Sequence, residues 1–383
     1  MKPRASTAWA PGYKMSYYAE KDFFDDPALL ELVQQVLSGN LTLAWYGVKN
    51  TRVRARPADP ARGLTYQDCN LGPYGYDAIP EFLRDRYSMA ARGSVLVEKL
   101  PDLGYTINRR SDVWADNVVE LYEETKARRW AAAIDIPWSA LLAHPRPLRD
   151  AAMTQACTLL EEVALVAMEV PGRWVFSINQ EFIEQKSFLC AQMIDEARHV
   201  EACRKRALVS GKGLGCASAS AEQALKELLS AETFPEASLG TNLLLGSFVL
   251  AMYRAIAALG DTHADRLFGT LSMQDVARSV AYGMGHMRYH LRHQPAKVEA
   301  LSDYLDRTEH TVVGIVGSSE FLEPLVLLAA GSRDAAALAR GAAFARRWFT
   351  TALEQYFERC EAVGFTKRRQ RSRLARLAAS LAA

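Results

Sequence analysis

Residues 193 to 200 read Met193-Ile194-Asp195-Glu196-Ala197-Arg198-His199-Val200, and residues 273 to 280 read Met273-Gln274-Asp275-Val276-Ala277-Arg278-Ser279-Val280. The two stretches agree in methionine, aspartate, alanine, arginine and valine at a constant offset of 80, so the chain repeats itself. In a helix, residues three apart lie one turn apart on the same face. Glu196 and His199 therefore pair a carboxylate with an imidazole, where the second copy has Val276 and Ser279. One half carries metal-binding chemistry and the other does not.

Outward from these stretches, the chain after Asp112 shows helical periodicity almost throughout and nearly no strand-like alternation. The pattern predicts helices over roughly 113–133, 147–169, 174–209, 219–231, 236–260, 263–293, 297–312, 319–330 and 334–363. Pro171-Gly172, Gly211 to Gly215 and Pro295 supply the stops between them. Ahead of about residue 110, Pro57, Pro60, Gly63, Gly72, Pro73, Gly75 and Pro80 break any long period. That part predicts one helix, Pro27 to Leu37, and then an irregular wrap. The expected organisation is an N-terminal region over 1–111, a helical bundle over 112–294, further helices of the same domain over 295–365, and a basic tail over 366–383.

A chain of 383 residues with 49% hydrophobic content can bury a large core. The formal net charge of +2 is too small to imply a nucleic-acid partner. The basic stretch of Lys367, Arg368, Arg369, Arg371, Arg373 and Arg376 reads as a solvated helix end. Cysteines at 69, 157, 190, 203, 216 and 360 form no C-x-x-C pair, which points to reduced thiols in a cytoplasmic protein. The N-terminus lacks a signal-peptide core, and the longest apolar run, Leu243 to Ala251, reads as a buried helix segment, so no membrane partner is expected.

The repeat extends upstream. Glu162 lies 34 residues ahead of Glu196, and Asn242 lies 34 ahead of Val276. That gap lets a helix run out, turn and return antiparallel, so that Glu162, Glu196 and His199 could converge on one ion. Glu161 would point about 100° away and be solvated, and Glu169 sits at the helix end. Two carboxylates and one imidazole suit iron, or manganese, better than a thiolate-loving metal. Asp195 and Asp275 occur in both copies, as do Arg198 and Arg278. Either each aspartate holds the spare N–H of a ligating histidine from the other half, with Asp275 serving His199, or the pairs form helix-to-helix salt bridges. His286, seven residues past Ser279 and about 10 Å further along the axis, is the alternative ligand for a displaced ion.

A glutamate followed by Asp195-Glu196-Ala197-Arg198-His199-Val200, in a helical chain with an internal repeat, resembles the ferritin-like superfamily. Within it the chain is most similar to the di-iron oxygenases and the ribonucleotide reductase small-subunit type. The resemblance covers about residues 115 to 293. Trp130 through Ile134-Asp135-Ile136-Pro137-Trp138 looks like the lead-in of oxygenase-like members, and Val280-Ala281-Tyr282-Gly283 through His286-Met287-Arg288-Tyr289-His290 like the continuation of the second motif. It implies an all-α bundle built on a two-helix repeat, with Glu162, Glu196 and His199 as metal ligands and Glu196 as the bridge. At the positions of Asn242, Val276 and Ser279 the family would carry Glu, Glu and His, so one ion is expected rather than two.

The leading expectation is an iron-dependent oxidoreductase of the non-heme oxygenase type, using dioxygen, a small organic substrate and an external electron donor, as a homodimer or hetero-oligomer. Replacing three ligands with Asn, Val and Ser is chemically coherent, because valine removes the cost of burying an unpaired carboxylate. The alternative is therefore a catalytically inactive homologue serving as a partner or a small-molecule-binding scaffold. Trp174, Phe176, Phe182, Phe188, Phe248 and Tyr253 read as plain bundle core.

Overall fold

The computed structural model describes residues 26–46, 55–70, 79–84, 88–96, 100, 102–142 and 146–382. The turn residues Gly72, Pro73 and Gly75, and the N-terminal stretch read for a signal peptide, lie outside them. The chain divides into two compact units, Met1–Arg110 with Phe176–Ile183, and Ser111–Val175 with Glu184–Ala383. The C-terminal helices and tail thus share a unit with the repeat.

In the first unit, helix α1 (Pro27–Leu37) starts where Asp26 accepts the amides of Ala28 and Leu29, with Pro27 in the first turn. None of its residues is buried. The other described segments form a one-turn helix over Tyr66–Cys69, capped by Thr65, a 3-10 turn over Gln180–Phe182, further turns, and two isolated bridges, Phe82 with Arg109 and Ile107 with Ile178. The second bridge explains why the helix expected over 174–209 is interrupted. Ser177 accepts the amides of Thr106 at 3.0 Å and Ile107 at 2.8 Å, and the Asn179 side chain donates to Asn108 at 2.7 Å while accepting the amide of Glu181 at 3.0 Å. Backbone groups that a helix would pair internally are paired with residues 106–108 instead. Phe176 stands 74% exposed, against its reading as core.

The second unit is all helix: α2 (Val118–Ala127), α3 (Pro147–Val175), α4 (Ile183–Leu208), α5 (Ala219–Leu229), α6 (Phe234–Leu259), α7 (His263–His293), α8 (Val298–Val316), α9 (Ser319–Ala330), α10 (Ala335–Val363) and α11 (Arg373–Ala382). Helix α3 runs through Pro171 and Gly172 rather than stopping there. Side-chain caps from Ser218, Thr233, Thr262 and Asp334 set the starts of α5, α6, α7 and α10.

Helices α6 and α7 pack closely because glycine stands at their crossings. A Cβ on Gly269 would meet the Ala257 backbone nitrogen at 2.5 Å, and one on Gly283 would meet Asn242 Cβ at 2.7 Å. The middle of α6, Leu239–Leu245, is a π-helical segment. Such segments are rare and insert an extra residue into the helical register.

By length and composition α3 and α6 are each apolar enough to cross a membrane, which a reading of continuous apolar runs did not register; 67% and 72% of their apolar windows are buried in this fold. The basic tail departs further from its reading. Arg368 is fully buried and meets Asp306 and Glu309, and Arg371 reaches Glu299, Asp303 and Asp306. These arginines clamp the C-terminal segment onto α8 rather than dissolving in water.

Candidate functional site

Between the repeated helices α4 and α7 lies a buried charge cluster with near two-fold symmetry. Arg198 meets Asp195 on its own helix and Asp275 across the gap at 3.1 Å; Arg278 meets Asp275 on its own helix and Asp195 across the gap at 3.1 Å. The i, i+3 spacing of Asp and Arg in each copy makes both links possible at once. Trp130 donates its indole N–H to Asp275 at 2.8 Å, and the Arg198 guanidinium lies 5.3 Å from the Trp130 ring centre.

His199 joins this cluster from the first copy only. Its Nδ1 lies 3.0 Å from Glu196 Oε2 and its Nε2 lies 3.3 Å from Asp275 Oδ2. Burial by itself would push the imidazole down, but the Glu196 charge and the hydrogen bonds to Asp275 and Glu196 outweigh it and raise His199 to about 10. Asp275 is correspondingly held low by His199 and the two arginines, against its burial. Asp195 is pushed up to about 6 by burial and by the Asp275 charge, which the arginines only partly offset. Three carboxylates, Asp195, Glu196 and Asp275, thus face three cations, Arg198, Arg278 and the imidazolium. With His199 protonated, the three positive and three negative groups are equal in number.

Beside it, a small cavity of about 20 Å³, room for about one water, is lined by Glu196, Gln192, Thr241, Asn242 and Ser279 on its polar side, with Val276 among them. Gln192 donates to Asn242 at 2.8 Å, and Asn242 reaches Ser238 at 3.4 Å. The apolar side is Leu160, Val163, Ala164 and Ala167 of α3. Gln192, one turn ahead of Glu196, and Thr241 were not singled out in the sequence, although the i, i+4 spacing of Gln192 to Glu196 was there to be read.

Glu162 does not join. The face of α3 that meets the cavity carries residues 160, 163, 164 and 167, and one residue of displacement turns a helical side chain by about 100°. Glu162 instead lies half-buried, its carboxyl pushed up to about 7 by burial and by the charges of Glu222 and Glu161. The offset of 80, sound for α4 and α7, misplaces α3 against α6, whose π-helical segment shifts the register. Glu161, read as solvated, is buried and meets Arg204 at 2.9 Å. Glu169 is exposed.

His286 does not serve as a substitute ligand. Its Nε2 lies 3.1 Å from the Asp112 carbonyl, and its ring sits between Phe234 and Tyr282. Burial and the neighbouring His290 push it down to about 3, so it is neutral.

As placed, these side chains form no ready-made three-ligand site for an iron or manganese ion. Among the described residues no three His, Cys, Asp or Glu side chains are grouped to hold a metal. Only Glu196 and His199 converge, both nitrogens of His199 face carboxylates, and aliphatic side chains occupy the α3 face where a third oxygen donor would stand.

No family model matches the chain, and no curated protein matches it. The chain is similar to solved structures of R2-like ligand-binding oxidase. One is a variant with anaerobically reconstituted Mn/Fe cofactor, at 17% identity and a TM-score of 0.46, covering 66% of this chain and 95% of that one. Another carries an aerobically reconstituted Mn/Fe cofactor, at 18% identity and a TM-score of 0.45, covering 66% of this chain and 94% of that one.

Proposed function

We propose that this chain is a metal-independent helical bundle of ferritin-like descent, a scaffold or partner protein in which the interior that would house metal ions has become a self-neutralised charge cluster. The observation that carries this reading is the closure of Arg198, Arg278 and His199 on Asp195, Asp275 and Glu196. A divalent ion bound at His199 would have to displace one of the two N–H protons the imidazolium directs at Glu196 and Asp275, and would find Glu196 and His199 as its protein donors. A buried cluster of this kind stabilises little, but fixes which helix faces which, since any slip leaves a charge uncompensated.

The test is metal analysis of the protein purified from cells supplied with iron and manganese, and again after refolding with each metal. The expected result is less than one tenth of an equivalent per chain under every condition. A stoichiometric ion lost in both Glu196→Ala and His199→Ala would overturn the proposal.

A second reading has one observation in its favour. Glu196 Oε2 and His199 Nδ1 meet at 3.0 Å beside a cavity, as a carboxylate and an imidazole poised for one iron or manganese ion would. On that reading the protein is an oxidoreductase using dioxygen, a small organic substrate and outside electrons. The same metal analysis separates the two.

A further inference from the structure

A cavity of about 170 Å³ lies where α4 ends and where α3 and α7 begin. Three carboxylates line it, and all are committed. Asp265 accepts from Arg206 Nε at 2.5 Å, Asp150 accepts from Arg206 Nη1 at 2.9 Å, and Asp261 meets Arg146 at 3.1 Å and Arg149 at 2.7 Å. The donors are not used up. Arg206 has a side chain only 4% exposed, yet its Nη2 has no partner among the described residues. The Ser210 hydroxyl, which lines the cavity, is buried with no hydrogen-bond partner. Lys212, on the same rim, makes no ion pair among the described residues.

The charge balance is positive. Arg146, Arg206 and Lys212 match the three lining carboxylates, and the N-termini of α3 and α7, roughly half a positive charge each, outweigh the opposite half charge at the C-terminus of α4. Lys212 is flanked by Gly211 and Gly213, whose φ values of +72° and +88° let the loop turn back over the rim. Leu141, Leu142 and Val209 supply an apolar wall.

We infer that this cavity binds a small organic anion, its carboxylate or phosphate oxygens taken by Arg206 Nη2, Lys212 and Ser210, and its apolar body lying against Leu141, Leu142 and Val209. The volume is close to that of an apolar cavity known to admit a benzene-sized molecule, roughly 150 Å³. A buried guanidinium with one uncommitted nitrogen, Nη2, is a charge-assisted donor to an oxyanion. The site is separate from the charge cluster, since Arg206 lies seven residues beyond His199, about 10 Å along α4.

The test is titration calorimetry on the full chain with phenyl phosphate, benzoate and the neutral isostere benzyl alcohol. One equivalent of at least one anion should bind, at least about tenfold more tightly than the alcohol, as expected for a charge-assisted hydrogen bond. Phenyl phosphate binding without benzoate assigns a phosphate ester, and the reverse assigns a carboxylate. Lys212→Gln should weaken the anion about tenfold and Ser210→Ala severalfold, with the exposed Glu169→Gln unchanged as a control. Neither variant touches a buried ion pair, so both should fold, which circular dichroism checks. No binding at millimolar anion, equal binding of the alcohol, or binding indifferent to both variants overturns the inference.

Discussion

His199 shows how the neighbours of a single side chain set what its removal costs. Its neighbours in the fold are two carboxylates, so its removal leaves Glu196 and Asp275 short of a buried cation. Replacing it with leucine should cost about 3–5 kcal/mol, the usual penalty for breaking a buried pair from one side, measured by urea unfolding. Added iron or manganese should not restore the loss. Glu162 supplies the contrasting case. Its pKa is raised in the fold, so the protonated folded form is favoured; stability from this group is fully present below the unfolded value of 4.5 and is lost as pH rises through about 7. Glu162→Gln should therefore flatten the stability profile between those values and stabilise the protein at pH 8, by about 1 kcal/mol after discounting for solvent screening. Unfolding free energies of both proteins at pH 4.5 and pH 8 check this; a profile unchanged by the substitution would contradict the placement of Glu162.

At the scale of elements, the second helix of each repeat was legible and the first was not. The Asp-x-x-Arg spacing in α4 and α7 predicts side chains on one face whatever they meet, because 3.6 residues per turn settles that locally. Aligning α3 with α6 required equal registers along two helices, and the π-helical Leu239–Leu245 breaks that equality. The interruption at 176–182 was invisible for a related reason: Ser177 and Asn179 find their partners near residue 107, about 70 residues away in the chain. Glycine spacing offers an element-level test. Gly283→Ala puts a Cβ 2.7 Å from Asn242 Cβ, where neither backbone can withdraw without opening α6 from α7. Overpacking of this kind should cost about 1–3 kcal/mol, read as a lowered urea midpoint at unchanged m-value.

Across the whole molecule, the C-terminal segment belongs to the repeat-bearing unit through Arg368. Its guanidinium, fully buried, lies 3.0 Å from Glu309, which also accepts from Tyr356 at 2.9 Å and Ser372 at 2.6 Å. Burial raises the Glu309 carboxyl despite these partners. Arg368→Met should destabilise the protein by about 3 kcal/mol, seen as a drop in Tm, while Arg376→Met, in α11, should have little effect. A run of arginines in sequence gives no sign of which one has a buried acid waiting. The sequence by itself determined that this protein is a helical bundle built on a two-helix repeat, with an aspartate and an arginine on one face of each copy and Glu196 and His199 added to the first, because helical geometry makes such facts local. Only the tertiary structure decided what those faces meet: Arg198 with Asp275, Arg278 with Asp195, His199 between two carboxylates, and Glu162 turned away. Which charge compensates which depends on distances between helices, and a one-residue change of register rotates a carboxylate by about 100° and out of the site.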